Sequence, residues 1–140
     1  MNVEVNMLGV FLAAVSSMVV GSIWYSKGVF GTAWSKMAGI DEKQARKDAG
    51  MGLTGMFVLA LLMAYVLAHV AYLSNRFFVD KTYTEAAVTT GFWMWLGFVV
   101  PIVASNSLFD QRRKKLSAIH AGNWLVTLLV MGWVIGLVDL

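Results

Sequence analysis

The sequence predicts an all-α polytopic membrane protein, with four transmembrane helices in a compact bundle. Three observations predict it. First, 59% of the 140 residues are hydrophobic and only 14% are charged, against about 25% charged in an average soluble domain. A chain this short cannot hide that much apolar surface in one water-soluble core, because small domains bury the smallest share of their surface. Second, the charges leave four uncharged gaps, each longer than the roughly 18 residues that mark a candidate span. The gaps are apolar on all sides, unlike the alternating strands of a membrane barrel. Third, the cations cluster on alternate connections. The lack of charge excludes intrinsic disorder, and a single Pro excludes a collagen-like or Pro-rich chain. The lack of Cys excludes a disulfide framework, thiolate metal sites and a cysteine nucleophile.

A bilayer core about 30 Å thick needs about 20 residues at 1.5 Å each. On that measure a single membrane domain over residues 1–140 holds spans at about 6–26, 50–74, 86–108 and 118–138. Glu4 and Lys27 bound the first, Asp48 and Arg76 the second, Glu85 and Asp110 the third, Lys115 and Asp139 the fourth. The first lacks a basic leading region and a small-residue cleavage pattern, so it reads as a retained helix. After it, residues 29–37 carry apolar side chains at helical spacing. They predict a short interfacial helix with Phe30, Trp34 and Met37 facing lipid or the bundle, ended by Gly39. Asp41 with Gln44 three residues on resembles a capping box, which starts a charged helical extension of span two over residues 41–48.

The cations set the orientation. Lys27, Lys36, Lys43, Arg46 and Lys47 follow span one, and Arg112, Arg113, Lys114 and Lys115 precede span four. Only Arg76 and Lys81 lie between spans two and three. Positive loops stay in the cytoplasm, so loops 27–49 and 109–117 are expected there, with both termini outside. The run of Arg112, Arg113, Lys114 and Lys115 reads as a topology anchor that also suits anionic lipid head groups. No nucleic-acid fold accompanies it, so nucleic acid is not an expected partner.

Small residues supply the expected helix contacts. Gly9, Ala13, Ser17 and Gly21 recur every fourth residue in span one, and Gly132 and Gly136 do so in span four. Span two has Gly52, Ala60, Ala64 and Ala68, interrupted by Met56. Such ridges let helix backbones approach closely in lipid, within one chain or in a homo-oligomer. Pro101 in span three removes a backbone donor and crowds the carbonyl of Gly97, which predicts a kink there.

No Asp, Glu, Lys or Arg falls inside a span. Ion-coupled transporters and intramembrane proteases need such groups at depth, so no catalytic, cofactor or metal residues are expected. His69 and His120 fall at opposite ends, and the hydroxyls of Ser16, Ser17, Thr54, Thr89, Thr90 and Thr127 are expected to bond back along their helices or across to neighbours. The cytoplasmic ends are richer. Ser22, Tyr25, Lys27, Asn106, Asp110, His120 and Asn123 form a candidate polar cluster, pairing Asn106 with Asn123, and Asp110 with Lys27 or His120. As a hydrogen-bond network it would lock the helices, since unpaired buried polar groups are costly. As a vestibule it would admit a small ligand. An ungapped overlay of residues 36–40 on 115–119 suggests a short internal repeat of the two inner loops.

Trp24, Tyr25 and Ser26, then Phe30, Gly31 and Trp34, carry a resemblance that continues through Gly91, Phe92, Trp95, Gly97 and Pro101. It ends with Leu108, Phe109, Asp110 and Asn123. In order and over nearly the whole chain, these residues resemble the small bacterial membrane proteins grouped as domain of unknown function 1761. Lys27 and Gly28 depart from the pattern, which often has a proline there. The resemblance implies a four-helix bacterial inner-membrane protein and supplies no activity. The reading it leaves is a non-catalytic structural or partner-binding membrane component. The alternative is a small oligomeric transporter or channel with a cytoplasm-facing vestibule. A membrane enzyme would need Asp110 and His120 within reach of each other.

Overall fold

The computed structural model describes residues 3–110 and 113–138. Arg112 and Asp139 therefore lie outside the described residues, and with them one cation of the anchor and the outer bound of span four. Helix α1 (Met7–Trp24) opens on Asn6, whose side chain accepts from the N–H groups of Leu8 and Gly9 at 3.0 and 3.3 Å. These are two of the donors that a helix start leaves unpaired. Helix α2 (Gly31–Ala38) stands where the 29–37 spacing placed it, and Gly39 closes it at φ 64°. That left-handed cap is nearly free of cost only for a residue without Cβ.

Helix α3 (Glu42–Phe77) is continuous over 36 residues, so the charged extension and the second span are one rod. At 1.5 Å per residue it is about 54 Å long, well beyond a hydrocarbon core. Asp41 caps it by accepting from Lys43 N–H at 2.9 Å. The capping box expected there does not close, because Gln44 Nε2 donates to Asp48 Oδ2 one turn on, at 2.8 Å. The reciprocal box lies instead at the start of α4 (Tyr83–Met94), between Thr82 and Glu85. A π-helical turn (Trp95–Val99) follows, then α5 (Val100–Leu108) and α6 (Lys114–Val138). The disturbance at Pro101 thus takes the form of a widened turn just before it. Val100 N–H bonds the carbonyl of Trp95, five residues back, which gives room where the proline ring would crowd the carbonyl four residues back.

Four helical stretches are long and apolar enough to cross a membrane: Met7–Trp24, Glu42–Phe77, Tyr83–Leu108 and Lys114–Val138. No strand occurs among the described residues. Helix α6 packs against α1 and α4, and α3 packs against the same two. Neighbours run antiparallel. Asn6 Nδ2 reaches the Val138 carbonyl at 3.5 Å at one end, and Trp24 Nε1 bonds the Ile119 carbonyl at 3.1 Å at the other. The core between them is mostly small: Ala13, Ala14, Ala64 and Ala71 are inaccessible beside Leu67 and Met131. On α3 the buried residues are confined to Ala60, Ala64, Leu67, Ala68 and Ala71, and α5 buries none. Gly52 and Met56 are exposed, so the small stripe of span two works only over its second half.

Gly9, Ala13 and Ser17 are buried. Gly21 is not a contact: a Cβ there would meet nothing within 4 Å. Gly132 and Gly136 seat α6 directly on α4. A Cβ on Gly132 would lie 2.6 Å from the Ala87 carbonyl oxygen, and one on Gly136 would collide with the Thr84 Cα. Gly91 answers from α4, its Cβ position 2.7 Å from the Leu128 carbonyl oxygen. The overlay of 36–40 on 115–119 has no structural counterpart. The first stretch ends α2 at Gly39, and the second lies inside α6.

Candidate functional site

At the Trp24 end, α1 delivers two aromatic residues to the first turns of α6. Trp24 Nε1 donates to Ile119 O, and the ring lies over Gly122, where a Cβ would sit 2.9 Å from Cζ2. Phe30 packs on the other side of Trp24 at 4.7 Å between centroids. Tyr25 Oη and His120 Nδ1 share a hydrogen bond of 2.6 Å, and Trp34 of α2 covers Tyr25 at 5.1 Å. A third indole, Trp95 in the π turn, donates from Nε1 to Ala121 O at 2.8 Å. The chain can turn back from α1 into α2 because Gly31 lacks a Cβ. One there would collide with the Tyr25 carbonyl, while Gly31 N–H bonds Ser26 O at 2.8 Å.

The predicted polar cluster is therefore partly assembled. Tyr25 and His120 meet, and Asn123 is buried one turn further along α6. Ser22 turns outward and donates to its own helix at Met18 O, 2.7 Å away. Lys27 is exposed. Asn106 is also exposed while Asn123 is buried with Oδ1 unpartnered, so the expected pair of asparagines does not form. The cause is that α5 leaves the face carrying Asn106 uncovered. Asp110 pairs with Arg113, three residues on at 3.1 Å, and His120 Nδ1 bonds Tyr25. Lys114 and Lys115 stand exposed at the start of α6. The ordinary role foreseen for Thr127 also fails: its hydroxyl is buried and bonds nothing in the described chain. Sequence reasoning missed the indole donors Trp24 and Trp95 and the ring seat at Gly122. The signal for them was weak, since an indole N–H in a helix has no fixed spacing to its acceptor.

The family model described as "Protein of unknown function (DUF1761)" matches residues 8–136, which takes in every long helix. The chain belongs to this family. No curated protein and no solved structure matches it. Membership covers the whole helical assembly of this DUF1761 protein and carries no activity with it.

The opposite end of the DUF1761 chain holds a feature without a sequence signal. Glu4, Val5 and Asn6 join Tyr72, Asn75, Arg76 and Tyr83 around an open cleft of about 490 Å³. Arg76 Nη2 donates to Tyr72 Oη at 2.9 Å, and its guanidinium lies 5.2 Å over the same ring. His69 is on α3 and half-buried, with Tyr65 at 6.1 Å. Among the described residues no three His, Asp or Glu side chains are grouped to hold a metal ion.

Proposed function

We propose that this protein is a multi-pass protein of the bacterial inner membrane, a compact four-helix bundle that serves as a non-catalytic structural or partner-binding component. One observation carries the reading. The most apolar stretch of each long helix has only 22% to 39% of its residues buried, yet the core is closed, with Ala13, Ala14, Ala64, Leu67 and Met131 wholly inaccessible. Helices that bury so little and remain so apolar need hydrocarbon around them. A filled core favours a packing role over a passage through a single chain. The cluster at Tyr25 and His120 reads as a lock between α1 and α6, because Trp24 Nε1 and Tyr25 Oη are both spent on α6.

The cations support an orientation. Lys27, Lys36, Lys43, Arg46, Lys47, Arg113, Lys114 and Lys115 gather toward the Trp24 end, against Arg76 and Lys81 at the other. By the positive-inside rule the Trp24 end faces the cytoplasm. In that frame α2 lies at the interface, with Phe30 and Trp34 at head-group level. Lys43, Arg46 and Lys47 then stand on the projecting start of α3, where anionic head groups would attract them.

Because the sequence has no Cys, single-cysteine variants test the topology directly. Lys47→Cys and Lys115→Cys are expected to react with a membrane-impermeant maleimide only in inside-out vesicles. Val79→Cys and Lys81→Cys are expected to react in intact cells. Labelling of all four from one side, or recovery of the folded chain in plain buffer without detergent, would refute the reading.

A further inference from the structure

Among the described residues three buried side-chain atoms lack a hydrogen-bond partner, His69 Nδ1 on α3 and two oxygens on one face of α6. Asn123 is 6% exposed and Thr127 is 2% exposed, and neither Asn123 Oδ1 nor Thr127 Oγ1 has a partner in the described chain. Buried polar atoms are rarely left so. Thr127 is the more deeply buried of the two. Several helical hydroxyls of this chain bond back to the preceding turn, among them Ser16 to Ala13 O, Ser17 to Ala14 O, Thr54 to Gly50 O and Ser105 to Ile102 O. That bond is locally available to any helical Thr, and Thr127 does not make it.

The two oxygens lie four residues apart, so they sit one above the other on the same face of α6. With His120 they form a row. At 100° per residue, His120, Asn123 and Thr127 fall within about 60° of one another and span about 10 Å of helix. We propose that Asn123 and Thr127 hold a buried water molecule between them, the inner end of a hydrated row that begins at the Tyr25 and His120 pair. The chemistry selects water. An amide oxygen only accepts, so the occupant must donate to it. A hydroxyl can give or take, and the occupant must match it within one helical turn. Met131, the next residue on that face, is wholly inaccessible and apolar. The row ends there. The inference rests on the packing of α6 and is independent of the orientation proposed above.

Hydroxyl-radical footprinting of the full chain in detergent tests it, with radicals generated from water by an X-ray pulse. Met131 is the reporter, because it lies four residues beyond Thr127 on the same face of α6. Met51, 84% exposed, reports bulk solvent. The expected result is Met131 sulfoxide in the wild-type protein despite zero accessibility, with ¹⁸O from labelled water entering it later than it enters Met51. Oxidation of Met131 should fall to background in Thr127→Val combined with Asn123→Leu, and persist in Thr127→Ser. Wild-type protein that oxidises Met51 and not Met131 overturns the proposal, even if no variant can be purified. So does Met131 oxidation that is unchanged in the double variant.

Discussion

The contact between α4 and α6 makes a prediction that can be worked from distances. An alanine at position 132 would place its Cβ 2.6 Å from the Ala87 carbonyl oxygen and 3.0 Å from the Val88 Cα, both backbone atoms. No rotamer change relieves a clash with backbone, so the helices must part. A gap on the order of 0.5–1 Å forfeits a quarter to a half of the dispersion attraction along the contact, and overpacking of this kind costs about 1–3 kcal/mol. Replacing a helical glycine by alanine returns about 0.5–1 kcal/mol of backbone entropy. The net expectation for Gly132→Ala is a loss of about 1–2 kcal/mol, with a similar loss for Gly136→Ala and Gly91→Ala. Gly21→Ala supplies the control, since its Cβ meets nothing within 4 Å; it should match or exceed wild type. Gly9→Ala, whose nearest neighbour is Val138 at 3.7 Å, should be close to neutral. Unfolding in a fixed detergent, by heat or by dodecyl sulfate titration, ranks the set. Combining Gly132→Ala with Gly136→Ala should cost less than the two losses added, because the first already separates the helices. The reasoning fails if Gly132→Ala is as stable as wild type while Gly21→Ala is destabilised.

The other predictions concern single polar contacts. Thr82→Ala opens the capping box, in which Thr82 Oγ1 accepts from Glu85 N–H at 3.2 Å and Glu85 Oε2 from Thr82 N–H at 2.9 Å. A loss of about 0.5–2 kcal/mol follows, with faster amide exchange in the first turn of α4; unchanged exchange at Glu85 would count against it. Tyr25→Phe removes the 2.6 Å bond to His120 and should cost about 0.5–1.5 kcal/mol. Combined with His120→Leu it should cost less than the two single losses together, and strict additivity would show that the pair is not coupled.

Much of the fold was legible because it depends on properties that the chain carries locally. Charge-free length placed the four long helices, and Gly39 placed the end of α2 by its conformation. Pro101 marked the irregular turn, although its form as a π turn depends on how the freed carbonyls settle. The capping box was read at Asp41 and Gln44 and found at Thr82 and Glu85. Both pairs have the right spacing, and a competing carboxylate on Asp48 decides the first. The site was less legible, since it depends on which face of each helix meets a neighbour. Of the seven polar residues expected to cluster at one end of the helices, Tyr25 and His120 meet and Asn123 is buried, while Ser22, Lys27 and Asn106 are exposed. The small-residue stripe of α1 failed at Gly21 for the same reason, because spacing defines a ridge without saying how far along it the partner extends.

The two ends of the structure are held by different forces, and this explains where small residues matter. Toward the Asn6 end, Gly132, Gly136 and Gly91 bring α4 and α6 into backbone contact while Ala60, Ala64, Ala68 and Ala71 line α3. Attraction there comes from close packing, which lipid cannot outcompete only if the fit is tight. Toward the Trp24 end, α3 residues 42–59 are exposed apart from a half-buried Phe57, and α5 buries nothing. Contacts there are instead directional, with Trp24 and Trp95 donating to carbonyls of α6 and Tyr25 joined to His120. A directional contact tolerates looser packing, since a hydrogen bond fixes a distance between two atoms and leaves the surrounding surfaces free. Volume changes should therefore act on the first half of the assembly, and loss of a single donor on the second.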